Sequence, residues 1–150
     1  MAKLISKRLI TESDLHDYDL IKESGKDGST LLKLAGPFAV CETLNNNNRM
    51  YHLEEMVEEC KKFQEVINNH RALSELEHPD DININPDRVC ARITKFYQDP
   101  HDEKTFLGEA IIMQGDPKMG IPGTPCGTIV GSMLQYGTKM GFSTRGLGNP

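Results

Sequence analysis

Acyl transfer needs a nucleophile, a base and a way to hold an oxyanion, and the stretch KMGFSTRGLG near the end of the chain offers the first and third. Read as a strand, KMGFST alternates its side chains between two faces. Met140, Phe142 and Thr144 share one face, and Lys139, Gly141 and Ser143 share the other. The apolar face can anchor in a core, while Gly141 leaves space beside the Ser143 hydroxyl for another chain to approach. The RGLG that follows, with Arg145 and Gly146, supplies a cation and a flexible backbone whose N–H groups can converge on an anion.

A serine hydroxyl is a weak nucleophile at neutral pH and needs a base within hydrogen-bond reach. There are five histidines: His16, His52, His70, His78 and His101. His16 lies in a polar N-terminal stretch, His52 opens an expected helix, His70 follows that helix, and His101 sits in a turn. His78 alone combines an expected strand end with a stiffened backbone, because Pro79 biases it towards extended conformation. On position alone, two ordinary strand-end polar residues remain the simpler reading of His78 and Ser143.

Other chemistries fit less well. GFSTR is not the G-x-S-x-G elbow, since Arg145 stands where the second glycine belongs. HPDD and Asp87 lack a second histidine at ligand spacing, so no metal site is expected. GIPGTPCGT lacks the Lys and Ser/Thr of a P-loop and reads as a loop running into a helix. Cys41, Cys60, Cys90 and Cys126 are widely spaced with no C-x-x-C, which suggests buried free thiols in a reducing compartment.

These residues must be positioned by strands and helices. The first thirty or so residues read as a short edge strand and a loop, and PFAVCETL as a strand. NNNNR is a loop. In YHLEEMVEECKKFQEVIN, Leu53, Met56, Val57, Cys60, Phe63 and Ile67 form one helical stripe. RALSELEHPDDININPDR reads as a short strand and a loop. RVCARITKFY and TFLGEAIIM form an antiparallel hairpin with a longer exposed turn, QDPHDEK. Thr124 and Pro125 start a second helix, with Ile129, Val130, Met133 and Leu134 as its apolar stripe and Gly137 as its stop. Strands and two helices without βαβ alternation indicate an antiparallel α+β or barrel-like domain.

The chain has 150 residues, a formal net charge of -5, 37% hydrophobic and 26% charged residues, which suits one soluble domain over residues 1–150. The mild acidity and the absence of a basic cluster argue against a nucleic-acid partner. No apolar run approaches the roughly 20 residues that span a membrane, and the start has no continuous apolar centre of a secretion signal.

Taken in order, NNNNRMYHLEEM, LSELEHPDDININPDRV, GEAIIMQGDP, GTPCGTIVGSMLQYG and MGFSTRGLG resemble the prohead (procapsid) maturation proteases of tailed bacteriophages. That family shows N-x-N-x-R-x-Y before its first long helix, then G-E-L-x-H-P, T-P-x-G at a helix start, and V-S-S-R-G-L-G. The likeness runs from about Asn45 to Gly148, roughly two thirds of the chain. It implies a serine endopeptidase with an antiparallel β-barrel flanked by helices, similar to herpesvirus assemblin, and no cofactor. Carried over, Ser143 is the nucleophile, His78 the general base, and Arg145 and Gly146 stabilise the oxyanion. Ser74 replaces a glycine, Thr144 a serine, and His52 a proline.

The family chain usually continues beyond R-G-L-G, so the resemblance implies a domain lacking that C-terminal part, inactive or weakly active if the part supplies the third catalytic residue. Glu75, Asp87 or a residue past Pro150 could fill that role; by simple alternation Glu75 faces away from His78. The implied partners are phage scaffold and precursor capsid proteins and the enzyme itself, inside the prohead assembling in the host cytoplasm. The exposed face of the long helix could serve self-association. The competing reading is a non-catalytic β-barrel used as an assembly or scaffold protein of the particle.

Overall fold

The computed structural model describes residues 2–5, 18–44, 50–76 and 86–144. Its centre is a hairpin of two long strands, β5 (Val89–Asp99) and β6 (Asp102–Ile112); labels here follow chain order. On β6, Phe106, Gly108, Ala110 and Ile112 alternate inward, the two-residue period expected of a strand with one buried face. Both strands run further than their apolar cores suggest. They consume most of QDPHDEK and leave only Pro100 and His101 in the turn, shorter than expected.

The remaining strands are β1 (Ala2–Ile5), β2 (Asp19–Ser24), β3 (Thr30–Val40), β4 (Leu73–Glu75) and β7 (Gly141–Thr144). An antiparallel five-stranded sheet has the order β2-β3-β6-β5-β4, and β1 and β7 form a separate two-stranded antiparallel sheet. Strand β3 begins at Thr30, well before the Pro37 start that PFAVCETL predicts, and runs through Gly36 and Pro37. The proline is accommodated at a register shift between Pro37 and Ala39, where the ladder with β6 skips a residue.

Helix α1 (Leu53–Asn68) packs its Met56, Cys60 and Phe63 side against the core, and the Gln64 amide donates to the Phe96 carbonyl on β5 at 2.6 Å. Helix α2 (Pro125–Gln135) also lies on β5. Thr124 caps it as expected: its hydroxyl accepts the Gly127 N–H at 2.9 Å and donates to the Val89 carbonyl at 2.6 Å. Gly127 is required there, because a side chain would strike the Met113 carbonyl. The buried stripe of α2 is Cys126, Val130 and Leu134, whereas Ile129 is half exposed at 50%.

Rings fill the space between the sheets. Phe38 stacks on Phe142 with centroids 4.2 Å apart, and Phe96 tilts against Phe106 at 5.8 Å with Phe63 edge-on at 5.7 Å. The chain is thus α+β with a mainly antiparallel sheet. The closed barrel that the resemblance implies is absent among the described residues. β1 lies alongside β4 and β7 alongside β3, but no ladder joins either pair, so the small sheet leans across the large one without sealing it.

Candidate active site

Ser143 lies on β7, whose ladder partner is β1. Lys3 pairs with Ser143, and Leu4 with Phe142. The preceding residues root the strand: Met140 and Phe142 are buried in the core, as the alternation predicts. The other face differs from expectation. The space over Gly141 is filled from within the chain, since a Cβ there would lie 3.0 Å from the Tyr18 ring. The room foreseen for an approaching chain beside Gly141 is therefore taken.

His78 lies outside the described residues, as do Arg145 and Gly146. The strand that leads towards His78 is described, and it is firmly held. Leu76 donates its N–H to the Arg88 carbonyl at 2.9 Å and accepts the Arg88 guanidinium on its own carbonyl at 2.9 Å. Both backbone groups of Leu76 are thus satisfied by one residue, which fixes the direction of the chain two residues before the histidine. β4 lies alongside β1, and β1 pairs with β7. One short strand is therefore paired with the Ser143 strand and close to the strand running towards His78.

Glu75 ends β4 and is fully buried, with 0% exposure. The β4–β5 register shifts between Ser74 and Glu75, and both residues are buried. Simple alternation fails between Ser74 and Glu75, and the stretch that sets the face of His78 relative to Glu75 lies outside the described residues. Asp87 sits in the 3-10 turn Pro86–Arg88 that leads into β5. Around Glu75 lies a buried cluster that includes Ser74 and Cys90. Burial pushes the Cys90 thiol up to about 12, with Cys126 and Glu75 adding in the same direction. The Ser74 hydroxyl touches this thiol but has no full hydrogen-bond partner. None of the four cysteines forms a disulfide, and Cys41, Cys90 and Cys126 are buried, as their spacing suggests.

Two positioning residues escaped the sequence reading. Arg88 carries no local mark of its bond to Leu76. Tyr18, in the polar stretch before β2, bonds across 124 positions to Phe142, a link that no spacing rule reveals. Asp116, within QGDP, is a third structural case: its carboxylate accepts the Thr30 N–H at 2.8 Å and ties the start of β3 to the loop before α2.

Comparison with known proteins places this arrangement in context. The capsid assembly protease of bacteriophage T4 is a solved structure similar to this chain, with a TM-score of 0.57 and 19% identity, covering 91% of this chain and 76% of that one. The likeness is one of fold. No curated protein matches. The family model for prohead core protein serine proteases matches residues 4–149, a span that includes β4, the segment with His78, and β7. With nearly its whole length matched, this chain belongs to the prohead core protein serine protease family.

Proposed function

We propose that this chain is a single-domain serine endopeptidase of phage head maturation that cuts scaffold and precursor capsid proteins, and itself, inside the assembling prohead. The observation that carries the reading is the place of β1, which pairs with the Ser143 strand and lies close to the strand that runs towards His78. Family membership supports the reaction class, and the fold shared with a capsid assembly protease supports the substrate class.

In this mechanism His78 accepts the hydroxyl proton as Ser143 attacks a peptide carbonyl. The backbone following Ser143, with Arg145 and Gly146, holds the tetrahedral oxyanion; one such donor is worth about 3–4 kcal/mol in the transition state. His78 then protonates the leaving amine, and water, activated by the same imidazole, releases the acyl-enzyme. We assign the third role to Glu75. A triad carboxylate works from a buried position that orients the imidazole and stabilises its cation, and Glu75 is buried three residues before His78 in a strand whose exit is pinned. No cofactor or metal enters the scheme.

The test is co-expression of the chain with the scaffold and capsid precursor of the phage that encodes it. Shortened precursors with the wild type, and intact ones with Ser143→Ala and with His78→Ala, are the expected results. Processing that survives Ser143→Ala would overturn the reading.

A further inference from the structure

Tyr18 reaches two strands that are distant from it in sequence. Its phenolic oxygen accepts the Phe142 N–H at 3.2 Å and donates to the Pro37 carbonyl. Its ring occupies a slot walled by two glycines: a Cβ at Gly36 would lie 2.5 Å from the ring, and one at Gly141 3.0 Å from it. The ring also tilts against Phe142, with centroids 6.2 Å apart.

The location explains the need for such a link. β2 pairs with β3 only from Thr30 to Ala35, and β7 lies alongside β3 without a ladder among the described residues. β7 and β1 are four residues each, and a lone two-stranded ribbon is marginal in water. The stack of Phe142 on Phe38 holds this ribbon to the core, but ring packing tolerates small slides. A hydrogen bond is directional and narrow in length. Through one oxygen, a donor of β7 and an acceptor of β3 are joined at the residue immediately before Ser143. Burial pushes the phenol up to about 12, so it is neutral and can donate and accept together at neutral pH.

We propose that Tyr18 is a positioning residue for Ser143, a bolt that fixes β7 against β3 so that the hydroxyl meets its base. The inference rests on the reading of Ser143 as nucleophile. A misplacement of about 1 Å can cost a hundredfold in rate, so a strand free to slide loses reactivity before it loses its fold. This gives β1, as ladder partner, and Tyr18, as bolt, a share in the site.

The experiment is fluorophosphonate labelling of the full chain, resolved into kinact and KI, with hydrogen exchange at the Phe142 amide and a thermal melt. Tyr18→Phe keeps the ring and removes both hydrogen bonds. It is expected to lower kinact about tenfold, leave KI within about twofold and speed exchange at Phe142, while the protein stays folded at the assay temperature. Tyr97→Phe, on an exposed part of β5, is expected to change none of these. Gly141→Ala is expected to slow labelling when Tyr18 is present and to add nothing in a Tyr18→Ala background, where the slot is empty. A Tyr18→Phe protein with unchanged kinact, or with a loss no larger than its unfolded fraction, overturns the proposal. Absence of Ser143 labelling in the wild type instead defeats the nucleophile assignment, and the positioning role falls with it; normal wild-type labelling retained in Tyr18→Phe defeats the positioning role alone.

Discussion

The rings of Phe38 and Phe142 stack 4.2 Å apart, and this pair is the apolar anchor of the strand that carries Ser143. Gly108 makes the stack possible, because any side chain there would collide with the Phe38 ring. Phe142→Ala is expected to destabilise the fold by about 3–5 kcal/mol, from lost burial and the cavity left behind. A double-mutant cycle with Phe38→Ala, followed by urea unfolding, is expected to return a coupling of about 0.5–1.5 kcal/mol. Additive losses would show that the two rings merely neighbour each other.

The role given to Glu75 separates cleanly from that of Asp87. Glu75→Gln keeps the shape and removes the charge, and labelling at Ser143 is expected to fall by roughly 10⁴-fold, the scale seen when a triad carboxylate is neutralised. Asp87→Asn is expected to stay within about twofold. The reverse pattern, measured by labelling rate in folded protein, would move the third role to Asp87.

What was legible in the sequence follows the range of the forces involved. The two helices, the β5–β6 hairpin and the short strand before His78 are local patterns: a 3.6-residue stripe in α1, a cap and proline in α2, and alternation in β6. The inward face of Phe142 was legible for the same reason. The strand reads only from Pro37, in PFAVCETL, which misses the first half of β3, since the bulge that absorbs the proline depends on β6. The space beside Gly141 looked open because Tyr18, which fills it, lies far upstream. The bulge between Ser74 and Glu75 depends on pairing with β5 in the same way, and barrel closure depends on strand edges that no local pattern encodes.

The Ser74 hydroxyl is buried at 0% exposure without a full partner. Leaving a hydroxyl unsatisfied in a dry site costs about 1–3 kcal/mol. Ser74→Ala is therefore expected to stabilise the protein by about 1 kcal/mol, read as a higher urea midpoint at unchanged slope. A loss of stability would mean that the contact with the Cys90 thiol contributes more than the missing bond costs.

Tyr18 also predicts an alkaline limit. Its folded value of about 12 exceeds the ordinary tyrosine value of 10.0 because burial disfavours the phenolate. Above pH 10 the unfolded chain gives up this proton and the folded one retains it, so stability that is fully present below pH 10 is lost as the pH rises towards 12. The loss is about 1 kcal/mol by pH 11 and about 2–3 kcal/mol once both states have ionised. The thiols of Cys41 and Cys90, raised by burial to about 11 and about 12, and of Cys60, also raised, push the same way. The informative quantity is thus the difference between wild type and Tyr18→Phe in urea unfolding at pH 9 and pH 11. The wild type is expected to lose more. Equal losses would show that the phenol is not buried as described.

The most direct test of the account is to map the site of a fluorophosphonate adduct by mass spectrometry in the wild type and in His78→Ala. The account predicts one adduct, on Ser143, formed readily in the wild type and at least a hundredfold more slowly in folded His78→Ala, on the scale of lost general-base catalysis. An adduct on another serine, or one on Ser143 that forms equally fast without the imidazole, would contradict it.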